Sequence, residues 1–289
     1  MRALRGEGVM IGVAGALIVA SLAAPAAAGP PRRVASLNLS ADEVLVEILP
    51  PERLVAVTRW ADEAGTSNIV GRVPPSVFRV QKADMERLVA LSPDLVVVSE
   101  YTDADFLRLL ERSGIRHHRM RGLASLAGVR AAIVDLAREV GAGERAAPLL
   151  ARYDETLRDV GQRLAGAKGK RVLYWAGGMT AGGDTAIGAL IECAGGVNVG
   201  SQMGVQGIAP PGAERAFVTD PEVVLVGTWP LAVESLKKDP LLSRMAAVRE
   251  GRIVVMPNEL LVALSQYTAD ACRYLAAALH PDRFPPAPR

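Results

Sequence analysis

Aromatic residues are scarce in this chain, at 4% of 289 residues, and so are cysteine, with two, and histidine, with three. So few histidines and cysteines leave little from which to build a site for a bare transition metal, and the absence of any Cys-x-x-Cys pair removes support for zinc or redox chemistry. Neither sign of charge dominates: 33 basic and 31 acidic side chains give +2, whereas a nucleic-acid binder needs a basic stripe. The sequence also lacks G-x-S-x-G, H-E-x-x-H, the phosphate loop and the dinucleotide fingerprint. No catalytic residue is therefore expected and the chain reads as a non-enzyme. What remains is 50% hydrophobic, mostly aliphatic, and punctuated by 28 Gly and 19 Pro. That composition excludes disorder and coiled coil, and the length allows one large domain or two modest ones.

Arg2 and Arg5 precede an apolar run from Val9 to Ala24, and Ala26, Ala27 and Ala28 close it with small residues. This is the pattern of a secretory signal peptide, expected over 1–28 and cut before Gly29. The run falls short of the roughly 20 residues of a spanning helix, which makes an uncleaved anchor the lesser alternative. Export opens an oxidising compartment to Cys193 and Cys272, both on expected helices. Composition alone leaves open whether they form a bridge or remain two buried thiols.

Short aliphatic runs alternate with helical segments: 33–37, 54–58, 95–99 and 115–120, then 171–175, 223–228 and 253–256. Strands alternating with helices imply an α/β fold with parallel sheets. Ser40-Ala-Asp-Glu43 reads as a capping box, Asp103 opens a helix that ends at Ser113-Gly114, and Asp184 or Thr185 opens another that ends at Gly195-Gly196. Between the two strand sets, Leu149, Tyr153, Leu157, Val160 and Leu164 mark one stripe of a helix over 144–164. At 1.5 Å per residue this rod is roughly 30 Å long, enough to join two lobes. The divisions expected are 33–141 for the first lobe, 142–168 for the link and 169–289 for the second. An internal repeat supports two related lobes: Glu86-Arg-Leu-Val-Ala-Leu-Ser-Pro-Asp-Leu-Val-Val-Val98 is echoed by Glu214-Arg-Ala-Phe-Val-Thr-Asp-Pro-Glu-Val-Val-Leu-Val226.

Met85 to Val97 and Ala189-Leu-Ile-Glu-Cys-Ala-Gly-Gly-Val-Asn198 resemble the signatures of the periplasmic solute-binding proteins of ABC importers for iron complexes, haem and vitamin B12. The second stretch is most similar to the family's vitamin B12 binder, and the resemblance runs from Arg33 to about Pro281. It implies two Rossmann-like lobes with parallel sheets joined by one long backbone helix, in a monomer located in the periplasm. It implies further that Cys193 pairs with Cys272, as in that binder. The implied partners are a membrane permease with its ATPase subunits, docked through one Glu on each lobe, here Glu86 and Glu214. A bland reading of these two is available as well, because each sits in a helix's first turn, where the macrodipole favours an acid.

In such sheets ligands bind beyond the carboxyl ends of the strands. Trp60, Tyr101, Tyr174, Trp175 and Trp229 all fall at those ends, and their joint placement argues for an aromatic wall around a flat conjugated ligand. No permanently bound cofactor is expected. The ligand implied is a corrinoid or another metal chelate, with haem or a ferric siderophore as alternatives. Haem would want an axial group such as Tyr101 or a histidine, and a siderophore would want cations such as Arg59 or Arg79. A single packed helix resists bending, so closure on the ligand should be small. Competing readings are a sensory binding protein without a transport role, a bare-metal binder, and a chelatase acting on tetrapyrroles.

Overall fold

The computed structural model describes residues 29–81 and 85–285; the expected signal peptide lies outside the described residues. The first half runs β1 (Val34–Ser36), α1 (Leu39–Ile48), β2 (Leu54–Thr58), β3 (Phe78–Val80), α2 (Met85–Leu91), β4 (Leu95–Ser99), α3 (Ala104–Arg112), β5 (His117–Met120) and α4 (Leu126–Glu139). The long helix α5 (Gly143–Arg163) follows. The second half runs β6 (Lys170–Tyr174), β7 (Thr180–Ala181), α6 (Ala186–Cys193), β8 (Gly196–Asn198), α7 (Val199–Gln202), β9 (Ile208–Ala209), α8 (Ala213–Thr219) and β10 (Val223–Gly227). It ends with α9 (Ala232–Lys238), α10 (Ala246–Arg249), β11 (Ile253–Met256), α11 (Asn258–Leu261) and α12 (Tyr267–Leu279).

Five strands form one parallel sheet in the order β3-β2-β1-β4-β5, and four form a second in the order β11-β10-β6-β8. Alternation along each strand divides the buried residues between two faces. Val34, Val57, Leu95 and Val97 pack with α1 and α4, while Ala35, Ala56, Val96 and Val98 pack with α2 and α3. In the second sheet Val172, Tyr174 and Leu225 face α6 and α12, whereas Leu173, Trp175, Val224 and Val226 face α7, α8 and α9. All seven expected strands form; the strands missed are β3, β7, β8 and β9, each only two or three residues long and too short to show a period.

Helix α5 buries the expected stripe, with Leu149 and Tyr153 in the first core and Val160 in the second. Pro148 lies in its second turn, where the ring removes a donor to the carbonyl four residues back. The C-terminal helix reinforces this link, because α12 places Ala269 in the first core and Ala271, Cys272 and Leu275 in the second. A Cys193–Cys272 disulfide, with Cα atoms 5.9 Å apart, joins α6 to α12.

The repeat is carried into the backbone. Ser92 and Asp220, at matching positions, both have positive φ, 47° and 44°, a conformation that costs a non-glycine residue about 1–2 kcal/mol. Matching arginines hold both turns. Arg33 donates to the carbonyls of Leu91 and Ser92, and Arg171 donates to those of Thr219 and Asp220. The acid that follows each proline accepts from the same arginine's backbone N–H, Asp94 at 2.9 Å and Glu222 at 2.9 Å.

The start of α1 departs from the expected capping box. Asn38 is the N-cap, accepting from the Ser40 N–H at 3.1 Å, and Ser40 to Glu43 lie inside the helix. Glu43 does not reach back to the helix end because its carboxylate is buried among partners from other elements.

Candidate functional site

The strands of the two sheets end at Ser36, Thr58 and Ser99 in one lobe and at Tyr174, Gly227 and Met256 in the other. Loops leaving these ends meet: the Asn68 side chain donates to the Glu259 carbonyl at 2.8 Å. The carboxyl edges of both sheets therefore border one cleft, where an open α/β sheet receives its ligand.

On the second lobe the wall is a hollow of about 380 Å³ lined by Trp175, Trp229, Pro230, Leu231, Gly177 and neighbours. Trp175 is mostly buried and offers an edge, while Trp229 is 37% exposed. Gly227 makes this possible, since a Cβ there would lie 2.2 Å from Asn258 Oδ1 and 2.3 Å from the Trp229 ring. Leu231 carries a positive φ of 62° and is 67% exposed. That conformation costs a bulky residue about 1–3 kcal/mol.

On the first lobe the wall is a shallower hollow of about 240 Å³ lined by Leu37, Asn38, Thr58, Trp60, Val80 and Ser99. Trp60 is 42% exposed, and the Arg59 guanidinium lies 3.7 Å from its ring centroid. Asn38 Nδ2 is buried with no hydrogen-bond partner among the described residues. Tyr101 is 84% exposed and lines neither hollow; its N–H donates to Ser99 Oγ at 3.2 Å.

Two expected cleft residues are placed elsewhere. Tyr174 is only 4% exposed and packs in the core under α6 and α12. Adjacent strand residues point to opposite faces, so Tyr174 and Trp175 do not share a wall. Arg79 has its guanidinium committed to Asp62 at 2.7 Å and to the carbonyls of Pro74, Val77 and Val73, leaving no donor free for a ligand. His117 and His118 both lie on β5, and burial holds the His118 pKa below its usual value. Among the described residues no cluster of three metal-ligating side chains occurs.

The first turns of α1 contain two buried acids, Asp42 and Glu43, the second of which the capping-box motif places at the helix end. Glu43 accepts from the Asn68 N–H at 3.0 Å, from Asn68 Nδ2 at 2.8 Å and from Ser265 Oγ, and its carbonyl accepts from Gln266 Nε2 at 2.8 Å. This network crosses between the lobes. Asp42 accepts from the Thr58 N–H at 3.0 Å and Oγ1 at 2.6 Å. Burial pushes its pKa up to about 7 against the lowering effect of hydrogen bonds from Ser36 and Thr58. Burial also raises the Glu43 pKa. Their mark in the sequence was the acidic pair beside the apolar run Val44-Leu45, which places acids on a helix face that must be covered.

A larger hollow of about 670 Å³ lies between α1, α5 and α12, away from the strand ends. It is lined by Glu47, Arg72, Arg152, Asp159, Asp270 and Arg273; Arg152 and Arg72 both pair with Glu47. Such a charged surface suits water better than a conjugated ring. Glu86 and Glu214 are exposed in the first turns of α2 and α8.

Comparison with known proteins agrees with this architecture. The cobalamin-binding protein of Halobacterium salinarum is 29% identical over 201 residues, covering 68% of this chain and 54% of that protein. The chain thus spans about half the length of the curated relatives it matches. Helicobacter pylori CeuE, solved with Ni(II) bound, superposes with a TM-score of 0.76 at 22% identity, covering 90% of this chain and 87% of that one. The periplasmic heme-binding protein RhuT from Roseiflexus, in apo form, gives 0.73 at 22% identity, with 87% and 99% covered. The model of one family, described as "Periplasmic binding protein", matches residues 34–260, and with the two parallel-sheet lobes and their shared cleft this shows that the chain belongs to the periplasmic binding protein family.

Proposed function

We propose that this protein is the periplasmic substrate-binding component of an ABC importer, capturing a corrinoid or related metal chelate between its lobes and delivering it to a membrane permease. The observation that carries the reading is the pairing of a Trp175, Trp229 and Leu231 surface on one lobe with Trp60 on the other. Aromatic rings at both carboxyl edges suit a broad, flat, conjugated ligand, because the exposed parts of Trp60 and Trp229 can stack on such a face. The similarity to a cobalamin-binding protein supports a corrinoid as that ligand. Glu86 and Glu214, exposed on the outer end of each lobe, serve as the permease contacts, each meeting a basic group.

Binding, orientation and release suffice for this task, and no catalytic group is assigned. The network around Glu43 and the double link of α5 and α12 favour a cleft that changes little on loading. A haem or ferric siderophore is the second reading, favoured by the exposed Arg59 cation and by Tyr101 at the cleft edge. Calorimetric titration of the mature protein with cyanocobalamin, dicyanocobinamide, hemin and a ferric hydroxamate tests the proposal. Saturable micromolar or tighter binding of a corrinoid supports the first reading, binding of hemin or the hydroxamate alone supports the second, and binding of none refutes both.

A further inference from the structure

We infer that Arg59, held over the Trp60 ring, recognises an oxyanion on the rim of the ligand and so fixes which way round the ligand enters the cleft. The inference rests on the cleft being the ligand site. The two walls differ in chemistry. The second lobe presents Trp175, Trp229, Pro230 and Leu231, an apolar surface. The first lobe carries donors: the exposed Arg59 guanidinium beside Trp60, which lines the hollow, and behind the surface the buried Asn38 Nδ2 group, without a partner among the described residues.

Arg59 differs from the arginines around it. Arg79 takes up Asp62, the acid on the same short turn as Arg59, and Arg119 donates to the Glu100 carbonyl. Arg72 is tied to Tyr267 and Glu47. Among the described residues no hydrogen bond or ion pair engages the Arg59 side chain. Its contact is the Trp60 ring at 3.7 Å, which orders the side chain while leaving the guanidinium edge free to donate. A guanidinium stacked this way has lost much of its rotamer freedom already and presents a fork that matches a carboxylate or phosphodiester. Such charge-assisted bonds are about twice as strong as neutral ones. The ligand class implied is a conjugated chelate with an oxyanion at one edge, that edge turned to the first lobe and the apolar face to the second.

Two ligand pairs separate the sources of the oxyanion. Cyanocobalamin carries a phosphodiester that dicyanocobinamide lacks, and hemin carries carboxylates that its dimethyl ester lacks. Dissociation constants are measured for wild type, Arg59→Gln and Arg59→Lys, with thermal midpoints confirming that each variant is folded. Wild type should prefer the oxyanion member of one pair by about tenfold or more, with the preference falling as salt rises. Arg59→Gln should abolish that preference while changing the affinity for the oxyanion-free partner by less than about twofold, and Arg59→Lys should retain part of it. An undiminished preference in Arg59→Gln, or no preference in wild type, overturns the inference while the binding itself leaves the functional reading standing. Failure of wild type to bind any of the four removes both.

Discussion

Asp42 lies in the first turn of α1, wholly buried, with one oxygen accepting from Thr58 and the other unpartnered among the described residues. Replacing it by asparagine keeps the shape and an acceptor for Thr58 but removes the charge. In the folded protein burial lifts the Asp42 pKa from 3.8 to about 7. A folded-state pKa above the unfolded one means that the native state holds the extra proton between those values, so stability falls as pH rises through that window and levels off above it. At about 1.4 kcal/mol per pH unit, the penalty at pH 8 is roughly 4 kcal/mol. Urea unfolding of wild type and Asp42→Asn from pH 4.5 to 8.5 measures it. The variant should gain on wild type steadily up to about pH 7 and then run parallel. A residual slope of the same sign should persist in the variant, because burial raises Glu43 as well. Wild type and variant running parallel across the whole range would mean that Asp42 does not hold the extra proton in the native state.

Removing the disulfide by Cys193→Ser with Cys272→Ser, across a separation of 79 residues, should lower stability by about 4 kcal/mol on the chain-entropy account, read as a shift in the urea midpoint; an unchanged midpoint would count against a bridge. Gly227→Ala would drive a methyl into Asn258 and the Trp229 ring, costing about 1–3 kcal/mol and weakening ligand binding; full affinity would mean Trp229 is not a wall residue. Glu86→Ala combined with Glu214→Ala should abolish uptake in a reconstituted transporter without altering ligand affinity, and undiminished uptake would remove the docking role.

The sheet scaffold was legible because the buried strands are unbroken aliphatic runs, and α5 because its apolar stripe follows the helical period. The repeat pointed to paired helix-turn-strand units, and its matching φ angles and arginine clamps became visible only with the backbone in hand. Strands such as Gly196–Asn198 are too short to carry a period, and their pairing is set by neighbours distant in sequence. Trp60, Trp175 and Trp229 could be placed at the carboxyl edge from strand ends alone. Tyr174 could not, because which face of β6 meets α6 and α12 depends on tertiary packing. Arg79 and Arg59 are equally plausible cations in sequence, and only the carbonyls around Arg79 separate them. Glu43 was misassigned because a local cap motif and a long-range bond to Ser265 call for the same residue type.

The proposed function rests on the aromatic residues at the facing sheet edges holding the ligand. Tryptophan fluorescence of wild type and of the Trp60→Phe, Trp175→Phe and Trp229→Phe variants, titrated with cyanocobalamin and hemin under inner-filter control, tests it most directly. Saturable quenching is expected in wild type, with the quenched amplitude reduced and affinity weakened in Trp60→Phe and Trp229→Phe. Saturable binding that leaves all three tryptophans unquenched would place the ligand away from these rings.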